Sequence, residues 1–260
     1  MPMDAIHRTY VYNGNAHVLS GKFHRPIEHL IEVQGASSLP TTGGHGNSRV
    51  DKFRVEEFAR FTTGYSHVSG SRNEADGSHT TLVTAAIEDL NILDIVTADR
   101  VVARLASHHP SNEDEPRITL LGSRFENLRI AGCAVEVELN FELFRRLETF
   151  KDVRKEYETS AEFRTMTENP FHTGQPQKSP EANGAVICSL VKDMKIACPG
   201  IRRHGHAFAV PQFGKIFVAE LVAEHSKRTL TMLRLELGSP VGGNVTAAQV
   251  QGNGRPIPPP

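Results

Sequence analysis

The feature that most constrains this chain is a six-residue pattern that recurs along it at nearly constant spacing. Each copy has apolar residues at its first, fourth and sixth positions, with variable or polar residues between them. Successive copies start 37, 38, 66 and 39 residues apart, so only the third spacing departs from the period. A repeat of this length predicts a fold assembled from similar stacked units. The five copies occupy residues 50–55, 87–92, 125–130, 191–196 and 230–235.

The segments around these copies have the residue pattern of β-strands. Residues 134–140 alternate between apolar and polar, and residues 233–237 repeat the alternation, which places one face of each strand on a core. β-Branched residues, which favour strands, are frequent over 80–102; a helix over 90–105 is the alternative there. The sequence therefore predicts a mainly β fold. We expect a stacked β-repeat sandwich or solenoid-like architecture, with a β-propeller as the alternative.

The irregular third spacing contains the one clear helical pattern. Its apolar residues follow three- and four-residue steps, as on the buried stripe of an amphipathic helix. Leaving out residues 141–168 reduces the spacing from 66 to 38 residues. We therefore expect one inserted α-helix, which either caps the β stack or mediates contact between subunits. The stripe comprises Leu143, Leu147, Phe150, Val153 or Arg154, and Tyr157.

The domain organisation that follows is a single β-rich domain with a short tail. We assign residues 1–252 to this domain, with the helical insertion at 141–168 inside it. Residues 253–260 are rich in proline, which lacks the backbone donor that a sheet ladder needs. We expect this tail to be flexible and to lie outside the sheets.

Charge and hydropathy restrict the partners and the compartment. The 29 basic and 30 acidic residues give a net charge of −1, which argues against a nucleic-acid partner. No segment offers the roughly 18 apolar residues of a membrane span, and the first residues lack the apolar stretch of a secretory peptide. We expect a cytoplasmic location by default, and leaderless export or surface association stays open.

The three cysteines are too few for a disulfide framework. Cys188 and Cys198 would be bridged only if their strands meet, and Cys133 would then remain unpaired. Because disulfides concentrate in oxidising compartments, we expect reduced thiols in a cytoplasmic protein.

Two stretches of the strand pattern carry a family resemblance. Residues 48–70, and residues 83–106 with the segment Ile-Val-Thr-Ala-Asp-Arg-Val at 95–101, resemble the repeats of bacterial β-rich proteins grouped as choice-of-anchor P. The resemblance covers residues 36–140. Proteins of that group are secreted and of unknown activity, so the resemblance implies a structural or surface role. This chain departs from the group because it lacks an evident export signal and anchor.

The best metal-ligating pattern is the pair His204 and His206. On a strand, residues two apart share a face, and two imidazoles on one face are usable ligands for a divalent transition metal. A third ligand would come from His225, or from the adjacent His108 and His109, only if folding brings them close. The competing interpretation is that these histidines lie on a polar strand face or in a loop. We therefore expect no cofactor, with a divalent transition metal as the alternative.

Signatures of catalysis and of phosphate binding are missing from the sequence. There is no Gly-x-Ser-x-Gly motif, and the glycine-rich segment 41–47 lacks the Gly-Lys-Ser/Thr ending of a phosphate-binding loop. We predict a non-enzymatic structural or interaction protein that forms homo-oligomers through its strand edges or through the 141–168 helix. The alternative is a metal-binding protein or metal-dependent enzyme that uses His204 and His206.

Overall fold

A computed structural model describes residues 10–26, 28–171 and 184–256, and it shows two antiparallel nine-stranded sheets packed as a sandwich. In chain order the strands are β1 (Tyr10–Val11), β2 (Gly14–Phe23), β3 (His29–Gln34), β4 (Ser37–Ser38), β5 (Gly44–Val55), β6 (Ala59–Arg72), β7 (His79–Ile92), β8 (Val96–His109), β9 (Arg117–Thr119), β10 (Arg124–Glu126), β11 (Arg129–Ile130), β12 (Cys133–Leu139), β13 (Ala185–Ser189), β14 (Val191–Ile196), β15 (Arg202–His204), β16 (Ala207–Val210), β17 (Gly214–Glu224), β18 (Lys227–Leu237), β19 (Gly243–Gly252) and β20 (Arg255–Pro256). The helices are α1 (Phe141–Arg146), α2 (Phe150–Thr159) and α3 (Ala161–Thr167).

The two sheets are mostly up-and-down meanders. Sheet I has the strand order β14-β12-β11-β8-β7-β6-β5, and β9 and β10 also pair with β8. Sheet II has the order β15-β16-β17-β18-β19-β2-β3, with β13 on β17 and β4 on β2. Strands β2 and β19 of sheet II lie against β6, β7 and β8 of sheet I, so the main core fills the space between the sheets. The predicted mainly β sandwich is confirmed, and the chain does not form the propeller.

The sequence repeat corresponds to alternate strands of sheet I. The first three copies lie in β5, in β7 and across β10 and β11, and the antiparallel pairing makes these strands run in one direction. The period of 37–38 residues is therefore one pair of long strands with its turns. In each of these three copies the third residue has a positive φ. The residue that follows the sixth position and begins the turn also has a positive φ. These residues are Lys52, Asp89 and Asn127, and Glu56, Leu93 and Ala131.

The remaining two copies have different surroundings. The fourth lies in β14, at one edge of sheet I, and the fifth lies in β18, near the middle of sheet II. Neither has a positive φ at its third residue. The helix considered over 90–105 is wrong, because these residues form the end of β7, the turn that follows it and most of β8.

The insertion consists of three short helices where the sequence predicts one. The helical residues run from 141 to 167, close to the expected 141–168, but the helix ends and a new helix begins at two points. Thr149 begins α2 through a capping box with Asp152, and the Ser160 hydroxyl accepts a hydrogen bond from the backbone N–H of Phe163 at the start of α3. Such caps favour a new helix start over a continuous helix. Within the described ranges, no helix is long and apolar enough to cross a membrane.

The insertion is fastened to both sheets at the loop between α1 and α2. From β9 of sheet I, the N–H of Ile118 donates to the carbonyl of Glu148 over 3.0 Å. From β18 of sheet II, Nη2 of Arg228 donates to the three successive carbonyls of residues 147–149 at 2.5, 2.9 and 3.1 Å. Arg228 is only 1% exposed. Burial lowers the pKa of Arg228 to about 10, so its guanidinium is still charged near neutral pH.

The cysteines pair differently from the expectation. Cys133 forms a disulfide with Cys198, and Cys188 is the buried free thiol. The pairing follows from the register of β12 with β14, because Val135 lies opposite Ile196. Cys133 begins β12 two residues before Val135, and Cys198 follows the end of β14 two residues after Ile196. Burial raises the pKa of the Cys188 thiol to about 12, so this thiol stays protonated.

The C-terminal segment is ordered further than expected. Asn253 is 1% exposed, its N–H donates to the carbonyl of Asn13 over 2.8 Å, and β20 pairs with β1 near the N-terminus. The expectation of an unpaired tail is therefore wrong for residues 253–256. Residues 257–260 lie outside the described ranges.

Replacing Arg228 tests whether this side chain fastens the insertion. We expect Arg228→Met to lower the free energy of unfolding by about 3 kcal/mol or more, because hydrogen bonds to a charged group contribute about 1.5–3 kcal/mol each. Chemical denaturation followed by circular dichroism measures the change. Arg124→Met removes an exposed arginine of β10 and is the control, with an expected change below about 1 kcal/mol. Equal losses in the two variants would contradict the role given to Arg228.

The disulfide generates a second stability prediction. Cys133 and Cys198 are 65 residues apart and enclose the whole insertion. The chain-entropy model predicts that the double variant Cys133→Ser/Cys198→Ser loses about 4 kcal/mol of unfolding free energy. A reducing agent should destabilise the parent protein by a similar amount and leave the double variant unchanged. Mass spectrometry of the non-reduced protein that finds three free thiols would show this assignment to be wrong.

Candidate functional site

The two predicted site residues, His204 and His206, lie in the hairpin between β15 and β16. His204 is the last residue of β15 and pairs with Ala207, the first residue of β16. Gly205 has a φ of +54°, a conformation that glycine adopts readily in tight turns. The chain therefore reverses between the histidines. The expectation that both imidazoles share one strand face is wrong.

The hairpin gives each histidine its own neighbours. The His204 ring lies 5.0 Å from the ring of Phe171, centroid to centroid. The His206 side chain is nearly buried, and its Nε2 lies 3.6 Å from Oε1 of Glu220 in β17. That Nε2 has no hydrogen-bond partner among the described residues.

Glu220 is itself held by an arginine of the next strand. Arg234 donates to both carboxylate oxygens of Glu220, at 2.5 and 2.9 Å, and its guanidinium stacks 3.7 Å from the centre of the Phe217 ring. Burial raises the pKa of Glu220, but Arg234 and His206 together bring this pKa below its ordinary value. The carboxylate is therefore ionised and already neutralised by Arg234. The three residues His206, Glu220 and Arg234 form a chain of polar side chains beside the hairpin.

The other possible ligands lie in other surroundings. His225 pairs with Glu115 over 3.1 Å, Nε2 of His109 contacts the carbonyl of Glu113 over 2.9 Å, and Cys198 is part of the disulfide. In the part of the chain that the structure describes, no group of three or more His, Cys, Asp or Glu side chains has an arrangement that could hold a metal ion.

A cleft of about 330 Å³ opens between this hairpin and the end of α3. The basic side chains at its rim are neutralised, because Lys192 pairs with Glu138 and Arg203 pairs with Asp193, each over 2.6 Å. Met166 and Pro170 contribute apolar surface. One wall of the cleft is the β15–β16 hairpin with His204 and His206, and the opposite wall is formed by the insertion. We name it the hairpin cleft; its lining includes Asn140, Glu162, Met166, Glu168, Pro170, Val191, His204 and His206.

Sequence reasoning found the two histidines of this site and missed Glu220 and Arg234. The register of β17 with β18, with Phe217 opposite Arg234, brings these side chains together. A Glu and an Arg 14 residues apart carry no recognisable spacing, although two strands joined by a short turn would have allowed the cross-strand contact to be anticipated.

Comparison with known proteins gives a family and no activity. No curated protein and no solved structure matches the chain. Residues 10–224 match a family described as a domain of unknown function, DUF8256. The match runs from β1 to the end of β17 and includes the hairpin cleft, while β18, with Arg228 and Arg234, lies beyond it. Since it covers well over half of the sequence, the chain belongs to the DUF8256 family.

Proposed function

We propose that this protein is a non-enzymatic interaction protein that self-associates through β3, an edge strand of sheet II. The observation that carries the proposal is a pair of exposed apolar side chains on this strand. Leu30 is 63% exposed and Val33 is 56% exposed, the highest values for large apolar residues in the described ranges. Among the residues that the structure describes, β3 pairs with a strand on one side only, β2, and its other side is the one we propose for a partner.

The geometry of β3 determines what kind of contact it offers. The register with β2 shifts by one residue between Leu19 and Gly21, which marks a bulge. Ile31 is buried, while Leu30, Glu32 and Val33 are exposed. A bulged edge supports only a short ladder. We therefore expect the side chains of Leu30 and Val33 to contribute more than backbone pairing.

The outer edges of sheet I have features that oppose pairing. The outward residues of β5 include Arg49, Asp51 and Arg54, and the positive φ of Lys52 interrupts the ladder. The other edge, β14, carries charged side chains with partners of their own, such as Lys192 with Glu138. Charges and irregularities protect sheet edges against association. β3 has fewer such features, which favours it as the contact strand.

A second copy of the chain is the occupant that fits best. In a two-fold contact, each copy offers the same pair of side chains, and Leu30 of one copy can pack on Val33 of the other. Leu30 and Val33 are already partly buried in the single chain, so completing the burial of four such side chains contributes less than the about 6–12 kcal/mol of full burial. Association costs about 4–15 kcal/mol. The expected dimer is therefore weak, with a dissociation constant in the micromolar range or above.

The non-enzymatic part of the proposal is supported by how the reactive groups are held. The Cys188 thiol is buried, and its pKa is raised to about 12. The Glu220 carboxylate is bound by Arg234 through two hydrogen bonds. Neither group is arranged as an activated nucleophile or an available base.

Sedimentation over a concentration series tests self-association. We expect the average mass of the parent protein to rise with concentration, and Leu30→Lys/Val33→Lys to remain monomeric because like charges replace the apolar contact. Leu121→Lys is the matched control, since Leu121 is 49% exposed in the turn between β9 and β10; it should associate like the parent. A parent protein that stays monomeric up to millimolar concentration would rule the proposal out.

A second candidate function is metal binding at the hairpin, and the unpartnered Nε2 of His206 favours it. This function predicts about one equivalent of a divalent transition metal after incubation of untagged protein and desalting. Binding should be lost in both His204→Asn and His206→Asn. His45→Asn, in the exposed start of β5, is the control and should keep the metal. Elemental analysis measures the amount of metal bound per chain. A parent protein that stays metal-free would exclude this function.

A further inference from the structure

The solvent-facing side of sheet I carries a trough that is separate from the hairpin cleft and from β3. The trough has a volume of about 500 Å³ and crosses strands β6, β7, β8 and β9. With neighbouring strands about 4.8 Å apart, the distance from β6 to β9 is about 14 Å. The insertion borders the trough at Glu148.

Two cross-strand rows form the floor and one wall of the trough. The strand register aligns their members across all four strands. The floor row is half-buried and mostly small, and the wall row is exposed and polar. Together they present hydroxyl groups beside two apolar side chains, Leu82 and Ala106. The floor row comprises Ser69, Leu82, Ala106 and Thr119, and the wall row comprises Ser71, Thr80, His108 and Arg117.

Arg104 lies on the other side of the floor row and has an unused guanidinium. In the described part of the chain, its side chain forms no ion pair or hydrogen bond; only its backbone N–H and carbonyl are engaged, with the hydroxyl of Ser123. Arg104 packs beside Gly122, where an added Cβ would lie 3.1 Å from its Cδ. Gly122 therefore leaves room for the arginine beside the trough.

The other arginines of this surface already have partners. Arg117 is bound to Glu113 over 2.5 Å, and Arg124 to Glu126 over 2.7 Å. Arg100 donates to the hydroxyl of Tyr65 over 2.9 Å. Arg104 is thus the guanidinium that remains available to a ligand at the trough, and it is suited to bind a carboxylate through two hydrogen bonds.

We propose that this trough binds an acidic oligosaccharide of the uronic acid type. One available guanidinium matches one carboxylate per bound sugar. The hydroxyls of Ser69, Ser71 and Thr119 are able to donate and accept hydrogen bonds with sugar hydroxyls. Leu82 and Ala106 provide an apolar patch for the C–H face of a sugar ring. The Glu148 carboxylate at the border of the trough is able to accept hydrogen bonds from the hydroxyl groups of a sugar.

Calorimetric titration with trigalacturonic acid tests the proposal. We expect the parent protein to bind this probe, and to bind the neutral trisaccharide of galactose at least tenfold more weakly. Arg104→Ala should weaken binding of the acidic probe at least tenfold, and Arg104→Lys should restore part of the loss. Arg124→Ala is the control because it removes a neighbouring arginine outside the trough; it should bind like the parent.

Three results would each overturn the proposal. These are a parent protein that does not bind the acidic probe at millimolar concentration, an Arg104→Ala variant that binds as well as the parent, and a neutral probe that binds equally well. Inorganic phosphate provides a fourth comparison. If it displaces the probe with equal affinity, the site recognises any small anion and the saccharide assignment is wrong. Thermal unfolding of each variant verifies that it is folded.

Discussion

The hydrogen bonding of Arg228 is the constraint on which the insertion side of the molecule depends. One buried guanidinium donates to the three carbonyls of residues 147–149, so a single side chain fixes the turn between α1 and α2. Phe150, Val153 and Phe163 of the insertion are buried near this attachment. The insertion then leads to α3 and to Pro170, which form one wall of the hairpin cleft. A charge in this position is costly to bury, and its hydrogen bonds to the three carbonyls offset part of that cost.

The two lateral sides of the sandwich are consequently unequal. On one side the insertion, the Cys133–Cys198 disulfide and the Arg203–Asp193 ion pair connect neighbouring elements. On the other side β3 and β5 are edges, with no further strand beside them in the described ranges. β5 is polar and interrupted at Lys52, whereas β3 exposes Leu30 and Val33. This asymmetry favours β3 as the strand of the proposed self-association, and a single contact per chain would favour a closed dimer over an open chain of subunits.

The sequence allowed the strands and the limits of the insertion to be predicted, because both depend on local patterns. Alternation of apolar and polar residues identifies a strand wherever one of its faces is buried. In the meander of sheet I, every second long strand repeats the same pattern, which gives the period of 37–38 residues. The prediction of a single helix was wrong because the helix caps at Thr149 and Ser160 are stronger local signals than the apolar stripe. The disulfide was missed for a different reason: only the register of β12 with β14 brings Cys133 to Cys198. The two histidines lie on either side of Gly205, where the chain reverses direction, so they do not follow one strand. Whether an arginine such as Arg104 lacks a partner depends on every neighbouring strand, so no local pattern reveals it.

The proposed contact and the proposed trough lie on different sheets, and this placement has a consequence for binding. β3 is at the edge of sheet II, whereas the trough crosses β6 to β9 of sheet I. Pairing of two copies through β3 leaves both troughs open to solvent. An acidic polysaccharide repeats the same carboxylate many times, so under both proposals two joined troughs would bind one polymer chain more tightly than a single trough. That gain requires no new contact, since the second trough binds at the effective concentration set by the first. Weak association of two copies and weak saccharide binding by each trough would then together be enough to hold a polymer, because each raises the apparent affinity of the other.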